Sequence, residues 1–131
     1  MSRHSTRVAT LILATLMALA LTACGGSAGP AVQKVDAGTA VAMLDARTVI
    51  DVRTPQEFAA GHLAGARNID VEAADFASKI SSLDEGAPYL VYCHSGRRSA
   101  MAAAQMAAAG FRDIVDGGAM ADWVGAGAPT Q

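Results

Sequence analysis

The sequence predicts an α/β domain: a mainly parallel central sheet of about five strands with helices on both faces. Three observations lead there. From residue 32 onward, short β-branched or apolar runs alternate with helical segments, the pattern of repeated strand–helix units. Two of those runs, Thr48–Val52 and Tyr89–Tyr92, are continuous enough to read as buried strands. The chain of 131 residues is long enough for one domain and too short for two ordinary ones.

Val32–Val35 is a first short strand. Asp36 can cap a helix over Ala37–Asp45. Thr48–Val52 follows as a strand bounded by polar residues. Thr54-Pro55-Gln56-Glu57 is a strong helix start. Thr54 suits the N-cap, Pro55 the first helical position, and Glu57 completes a capping box. That helix is short and ends by Gly61. Ala66–Ile69 forms another short strand. Asp70 then precedes a helix over Val71–Leu83, with Ala73, Phe76, Ala77, Ile80 and Leu83 at helical period. Asp84–Pro88 is a turn. Tyr89–Tyr92 is the clearest strand. Ser99–Ala109 is an Ala- and Met-rich helix stopped by Gly110. Ile114-Val115 is a last strand, Gly117-Gly118 a turn, and Ala119–Val124 a final helix. Met101, Met106 and Trp123 are expected to pack.

The N-terminus has a different character. Met1–Arg7 holds two arginines and no acid, and Val8–Leu21 is apolar apart from Thr10 and Thr15. A spanning helix needs about 20 apolar residues, so this stretch is read as a secretory signal over residues 1–23. Leu21-Thr22-Ala23-Cys24 resembles a bacterial lipobox, in which the cysteine is lipidated and becomes the new N-terminus. Residues 24–31 then form a Gly/Ser-rich tether. An uncleaved anchor and plain cleavage after Ala23 are the competing readings. A lipidated Cys24 could not form a disulfide, which leaves Cys93 as the one free thiol of an exported, membrane-anchored domain.

The formal net charge is −2. Arg3 and Arg7 fall in the leader, so the remainder is more acidic still. No basic stripe is left, which argues against a nucleic-acid partner. No set of His, Cys or carboxylates stands at metal-ligand spacing, and no cofactor is implied.

The chemistry concentrates in Cys93-His94-Ser95-Gly96-Arg97-Arg98-Ser99. This segment joins a buried strand to a helix N-terminus. Free backbone N–H groups and the helix dipole there favour an anion. Gly96 lets the backbone curl so that N–H groups point inward. Arg97 and Arg98 add positive charge. A cysteine so placed is expected to favour its thiolate and act as a nucleophile. A buried structural cysteine is the bland alternative. The polarity of the six residues that follow argues against it and predicts that Cys93 opens onto a solvated pocket. His94 is not needed as a general base.

Several segments then resemble the rhodanese family. Asp51-Val52-Arg53 with Glu57-Phe58 is similar to its first motif. Gly61-His62-Leu63-Ala64-Gly65-Ala66-Arg67-Asn68-Ile69 is similar to its second. Cys93–Ser99 matches the active-site loop, and Gly117-Gly118, Trp123, Gly127 and Pro129 match the C-terminal ending. The resemblance makes residues 32–131 a rhodanese-like domain. It implies a sulfurtransferase that moves sulfane sulfur from thiosulfate or a related donor to a thiol or cyanide acceptor through a Cys93 persulfide. His94, Ser95, Gly96, Arg97, Arg98 and Ser99 would hold the substrate. Asp51 would support the active-site loop through an arginine, and Arg53 would add to the pocket's electrostatics. By default Asp51 is a turn residue, Arg53 a surface charge and Glu57 a cap. The Cys-x4-Arg spacing is one residue shorter than the Cys-x5-Arg loop of tyrosine phosphatases. That argues for sulfur rather than phosphate or arsenate chemistry. A persulfide carrier serving an exported redox or sulfur-acceptor protein would use the same residues.

Overall fold

A computed structural model describes residues 31–131. The expected leader over residues 1–23, the lipid site Cys24 and the tether as far as residue 30 lie outside the described residues. Five strands form one sheet in the order β1-β5-β4-β2-β3, and every neighbouring pair is parallel. They are β1 (Val32–Lys34), β2 (Thr48–Asp51), β3 (Arg67–Asn68), β4 (Tyr89–Cys93) and β5 (Ile114–Ala119). The α-helices are α1 (Ala37–Ala42), α2 (Pro55–Ala59), α3 (Phe76–Ile80), α4 (Arg97–Ala108) and α5 (Met120–Gly125), with a short 3-10 turn over Leu44–Ala46.

Strand alternation divides the core in two. Tyr89, Val91 and Cys93 of β4 pack with Phe76 and Ile80 of α3 and with Ala102, Ala103 and Met106 of α4. Leu90 and Tyr92 pack on the other face with Ala40 of α1, Leu63 and Trp123 of α5. Helices therefore cover both faces, as the sequence predicts. All five residues of β4 are buried, which is why that strand reads so clearly.

Caps set the helix starts. The Asp36 carboxylate accepts the Thr39 N–H at 2.9 Å. Thr54 and Glu57 form the expected capping box, with Pro55 in the first turn.

Several elements differ in extent from expectation. The helix expected over Ala37–Asp45 ends at Ala42 and gives way to the 3-10 turn over Leu44–Ala46. The helix expected over Val71–Leu83 is regular only over Phe76–Ile80. The Asp70 carboxylate accepts the Glu72 N–H at 2.9 Å, and this local turn competes with helix at the start. Helix α4 begins at Arg97 rather than Ser99, because Gly96 adopts a left-handed conformation at its N-cap. Gly117-Gly118 is no turn but part of β5. Val91 pairs with Asp116 and Tyr92 with Gly118, so Gly117 is the extra residue of a β-bulge.

Candidate active site

Cys93 is the last residue of β4, at the carboxyl edge of the sheet. Ligands of open parallel sheets collect beyond that edge. The chain then turns through His94, Ser95 and Gly96 into α4. At Gly96 φ is +93°, a region that L side chains rarely adopt. The turn brings the Gly96 N–H back onto the Cys93 sulfur at 2.9 Å. The first helical bond of α4 runs from the Ala100 N–H to the Gly96 carbonyl. The N–H groups of Arg97, Arg98 and Ser99 precede it and lack helical acceptors. The sulfur thus sits at the positive end of a 12-residue helix.

The expectation of a cysteine open to solvent is corrected here. Cys93 is 0% exposed, although the adjacent His94 and Ser95 are exposed. The curl that aims the Gly96 N–H at the sulfur also closes the loop around it. A cavity of about 380 Å³ lies elsewhere, lined by Ala77, Ile80, Glu85, Gln105 and Phe111 of the α3–α4 region.

The loop arginines are not free charges. Both terminal nitrogens of Arg98 donate to the Glu57 carboxylate at 2.7 Å. Arg98 also lies 3.6 Å from Glu72, and Arg97 pairs with that same carboxylate at 3.3 Å. Glu57 is pulled down to about 2, first by the Arg98 hydrogen bonds and also by those from Thr54, with burial opposing. Arg98 is correspondingly raised, first by its hydrogen bonds to Glu57, with the charges of Glu57, Cys93 and Glu72 adding. Ser99 is buried, and its hydroxyl donates to the Gly96 carbonyl at 3.0 Å. It braces the loop from inside.

Asp51 and Arg53 serve a different place from the one expected. Asp51 pairs with Tyr92 across β2 and β4. Its carboxylate accepts the Tyr92 hydroxyl at 2.6 Å and the Arg53 guanidinium at 2.6–3.0 Å. Arg53 also donates to the Gly61 carbonyl at 2.8 Å. Tyr92 points to the face of the sheet opposite Cys93. The Asp51–Arg53 pair therefore braces the connection after β2 and touches neither loop arginine. Tyr92 is raised by burial and then by Asp51, so its phenol stays a donor to that carboxylate. Shared position at one sheet edge suggested a common site. The strand's two-residue side-chain period separates them.

The structure brings Cys93, Gly96, Arg97, Arg98 and Ser99 together, with His94 and Ser95 at the rim. Sequence reasoning missed the second role of Glu57, since its capping box already explained it. It also passed over Glu72, which no local pattern distinguishes.

A family model for a rhodanese-like domain matches residues 36–125. A thiosulfate sulfurtransferase GlpE of Pseudomonas putida is 49% identical over 73 residues, which is 53% of this chain and 64% of that protein. The GlpE of Pseudomonas aeruginosa is 45% identical over the same span. The chain thus covers slightly less than two thirds of these relatives. Among solved structures, the rhodanese-like domain of the Anabaena Alr3790 protein superposes with a TM-score of 0.68 at 28% identity, covering 75% of this chain and 77% of that one. A rhodanese-related protein of Thermoplasma volcanium gives a TM-score of 0.65 at 30% identity, covering 76% and 97%.

Proposed function

The chain belongs to the rhodanese-like domain family, and from that we propose that it is a sulfurtransferase with Cys93 as the sulfur-carrying nucleophile. The observation that carries the reading is the Gly96 N–H on the Cys93 sulfur at 2.9 Å, inside a loop closed by Arg98 and Glu57. The similarity to thiosulfate sulfurtransferases supports the substrate class.

The Cys93 thiolate attacks the outer sulfur of thiosulfate. A new S–S bond forms, the bond to the sulfite sulfur breaks, and sulfite leaves with that electron pair. Cys93 then carries a persulfide anion. An acceptor, cyanide or a thiolate, attacks the outer sulfur, giving thiocyanate or a new persulfide and restoring the Cys93 thiolate. No net oxidant is consumed. The Gly96 N–H and the leading N–H groups of α4 provide the donors that favour sulfur as an anion. Because Cys93 is fully buried, sulfur entry requires the loop to open over it. The six-residue span from Cys93 to Arg98 favours sulfur over phosphate chemistry. We further propose export, with lipidation of Cys24 holding the domain on a membrane. An acylated N-terminal cysteine gains about 0.8 kcal/mol of membrane affinity per buried CH₂.

The test is thiosulfate:cyanide sulfurtransferase activity of the protein from residue 25 onward, beside Cys93→Ala. Thiocyanate formation by the parent that vanishes in the variant supports the reading. Equal rates in both would overturn it. Metabolic labelling with a palmitate analogue, blocked by Cys24→Ala, tests the anchor separately.

A further inference from the structure

One carboxylate lies between the two arginines of the nucleophile loop. Glu72 is 3.3 Å from Arg97 and 3.6 Å from Arg98. Its backbone is fixed from both sides. The Glu72 N–H donates to Asp70 at 2.9 Å, and the neighbouring Val71 is buried with its N–H on the Val52 carbonyl. The side chain is anchored at its root and half exposed at its tip, as is much of Arg97. Such a pair contributes little to stability. Its charge nonetheless stands against both arginines of the loop that follows Cys93.

The charge count at the loop matters for that approach. Glu57 takes both terminal nitrogens of Arg98. Glu72 then sits against both guanidinium groups. The two cations are thereby balanced by two carboxylates. A dianionic donor meets a loop whose attraction comes from backbone N–H groups, with little net side-chain charge.

We propose that Glu72 is a specificity-determining residue that sets how strongly this site discriminates between anionic and uncharged sulfur donors. The proposal rests on Cys93 being the nucleophile of the sulfurtransferase reading. Glu72 acts through Arg97 and Arg98, so it is a positioning and charge-setting residue and takes no part in bond making. Removing its charge frees Arg97 and leaves Arg98 held by Glu57, so the loop gains one unit of net positive charge toward the substrate. A dianion about two side-chain lengths away then binds about three- to sixfold more tightly at low ionic strength, and the gain fades as salt shortens the screening length.

The test uses the full chain with Glu72 intact, Glu72→Gln and Glu72→Lys. Cys93 alkylation is followed with iodoacetate, an anion, and with iodoacetamide, its neutral counterpart. The rate ratio of the two reagents should rise about twofold in Glu72→Gln and about fourfold in Glu72→Lys near 10 mM salt, because iodoacetate carries one charge where thiosulfate carries two, and should converge at several hundred millimolar. Iodoacetamide rates should stay the same. In parallel, the KM for the thiosulfate dianion should fall about three- to sixfold in Glu72→Gln, with kcat changed by less. A ratio that does not respond to the charge at position 72, or an equal acceleration by both reagents, overturns the proposal, the latter by showing mere loosening of the loop. A shifted ratio without any thiosulfate turnover would sustain the charge role and sink thiosulfate as donor. Thiosulfate turnover with an unmoved ratio would do the reverse. A Cys93 that neither reagent reaches would overturn both.

Discussion

The Glu57 carboxylate receives both terminal nitrogens of Arg98 at 2.7 Å across 41 residues of sequence, and its Oε2 also accepts the Thr54 N–H and hydroxyl at 3.1 and 3.0 Å. One side chain thus starts α2 and closes the loop after Cys93. The connection after β2 and the loop after β4 are held as a unit.

Glu57→Gln separates these two duties. A glutamine can still cap α2, but it cannot return two charged acceptors to Arg98. Breaking a partly buried charged hydrogen bond costs about 1–3 kcal/mol, and an untethered Arg98 loosens the loop. Sulfur transfer should fall about tenfold or more. Thr54→Ala should cost about 1 kcal/mol through the lost cap while leaving activity near that of the parent. Urea unfolding and thiocyanate assays on both variants measure this. Equal activity losses would show that the cap, not the ion pair, governs the loop.

The same pair predicts an acid limb in stability. Glu57 titrates near 2 in the folded chain, against an ordinary value of 4.5. A folded pKa below the unfolded one means that the ionised form is stabilising. Its contribution is complete above about 4.5 and is lost as pH falls through about 2. Denaturation midpoints measured across that window should decline in the parent. In Glu57→Gln the decline should be shallower. Parallel curves would place the acid sensitivity in other carboxylates.

Asp51 should behave as a folding residue. It is fully buried and holds Arg53 and Tyr92 on the face away from Cys93. Asp51→Ala strands a buried guanidinium and should cost about 3–5 kcal/mol. The remaining folded fraction should alkylate at Cys93 as fast as the parent under strongly native conditions. Slower alkylation at unchanged stability would mean that the network reaches through the sheet to the loop.

The sheet was legible because its signals are local. The apolar runs of β2 and β4, the capping box at Thr54 and the polar turn after Cys93 each need only a few neighbouring residues. The polar, glycine-containing loop after Cys93 was legible for the same reason. Its electrostatics were not. Arg98 meets Glu57 and Arg97 meets Glu72 only after β2 and β4 lie side by side. Asp51 shows the complementary failure. Its place at the strand end was read correctly, but the face on which its carboxylate falls depends on its pairing with Tyr92. The burial of Cys93 likewise follows from the left-handed turn at Gly96, which a glycine permits but does not announce.

Two glycines on neighbouring segments should respond in opposite ways to alanine. At Gly96 a Cβ would meet the backbone of Gly118 and Ala119 at an ordinary 3.6–4.0 Å. The penalty there is the positive φ, about 1–2 kcal/mol for an L residue. That strain falls on the turn that aims an N–H at the sulfur. Gly96→Ala should therefore lose activity more than its melting temperature suggests. At Gly117 φ is ordinary, but a Cβ would run into the Trp123 ring. Trp123 is fully buried, and its indole N–H donates to the Gly117 carbonyl, so the ring has little room to retreat. Gly117→Ala should cost about 3 kcal/mol or more, lowering the melting temperature by about 12 °C or more for a domain of this size. Per folded molecule, its sulfur transfer should stay closer to that of the parent than Gly96→Ala does. Calorimetry with activity normalised to folded protein decides. The reverse ranking would mean that the Gly117 bulge, through its neighbour Gly118, shapes the loop more than Gly96 does.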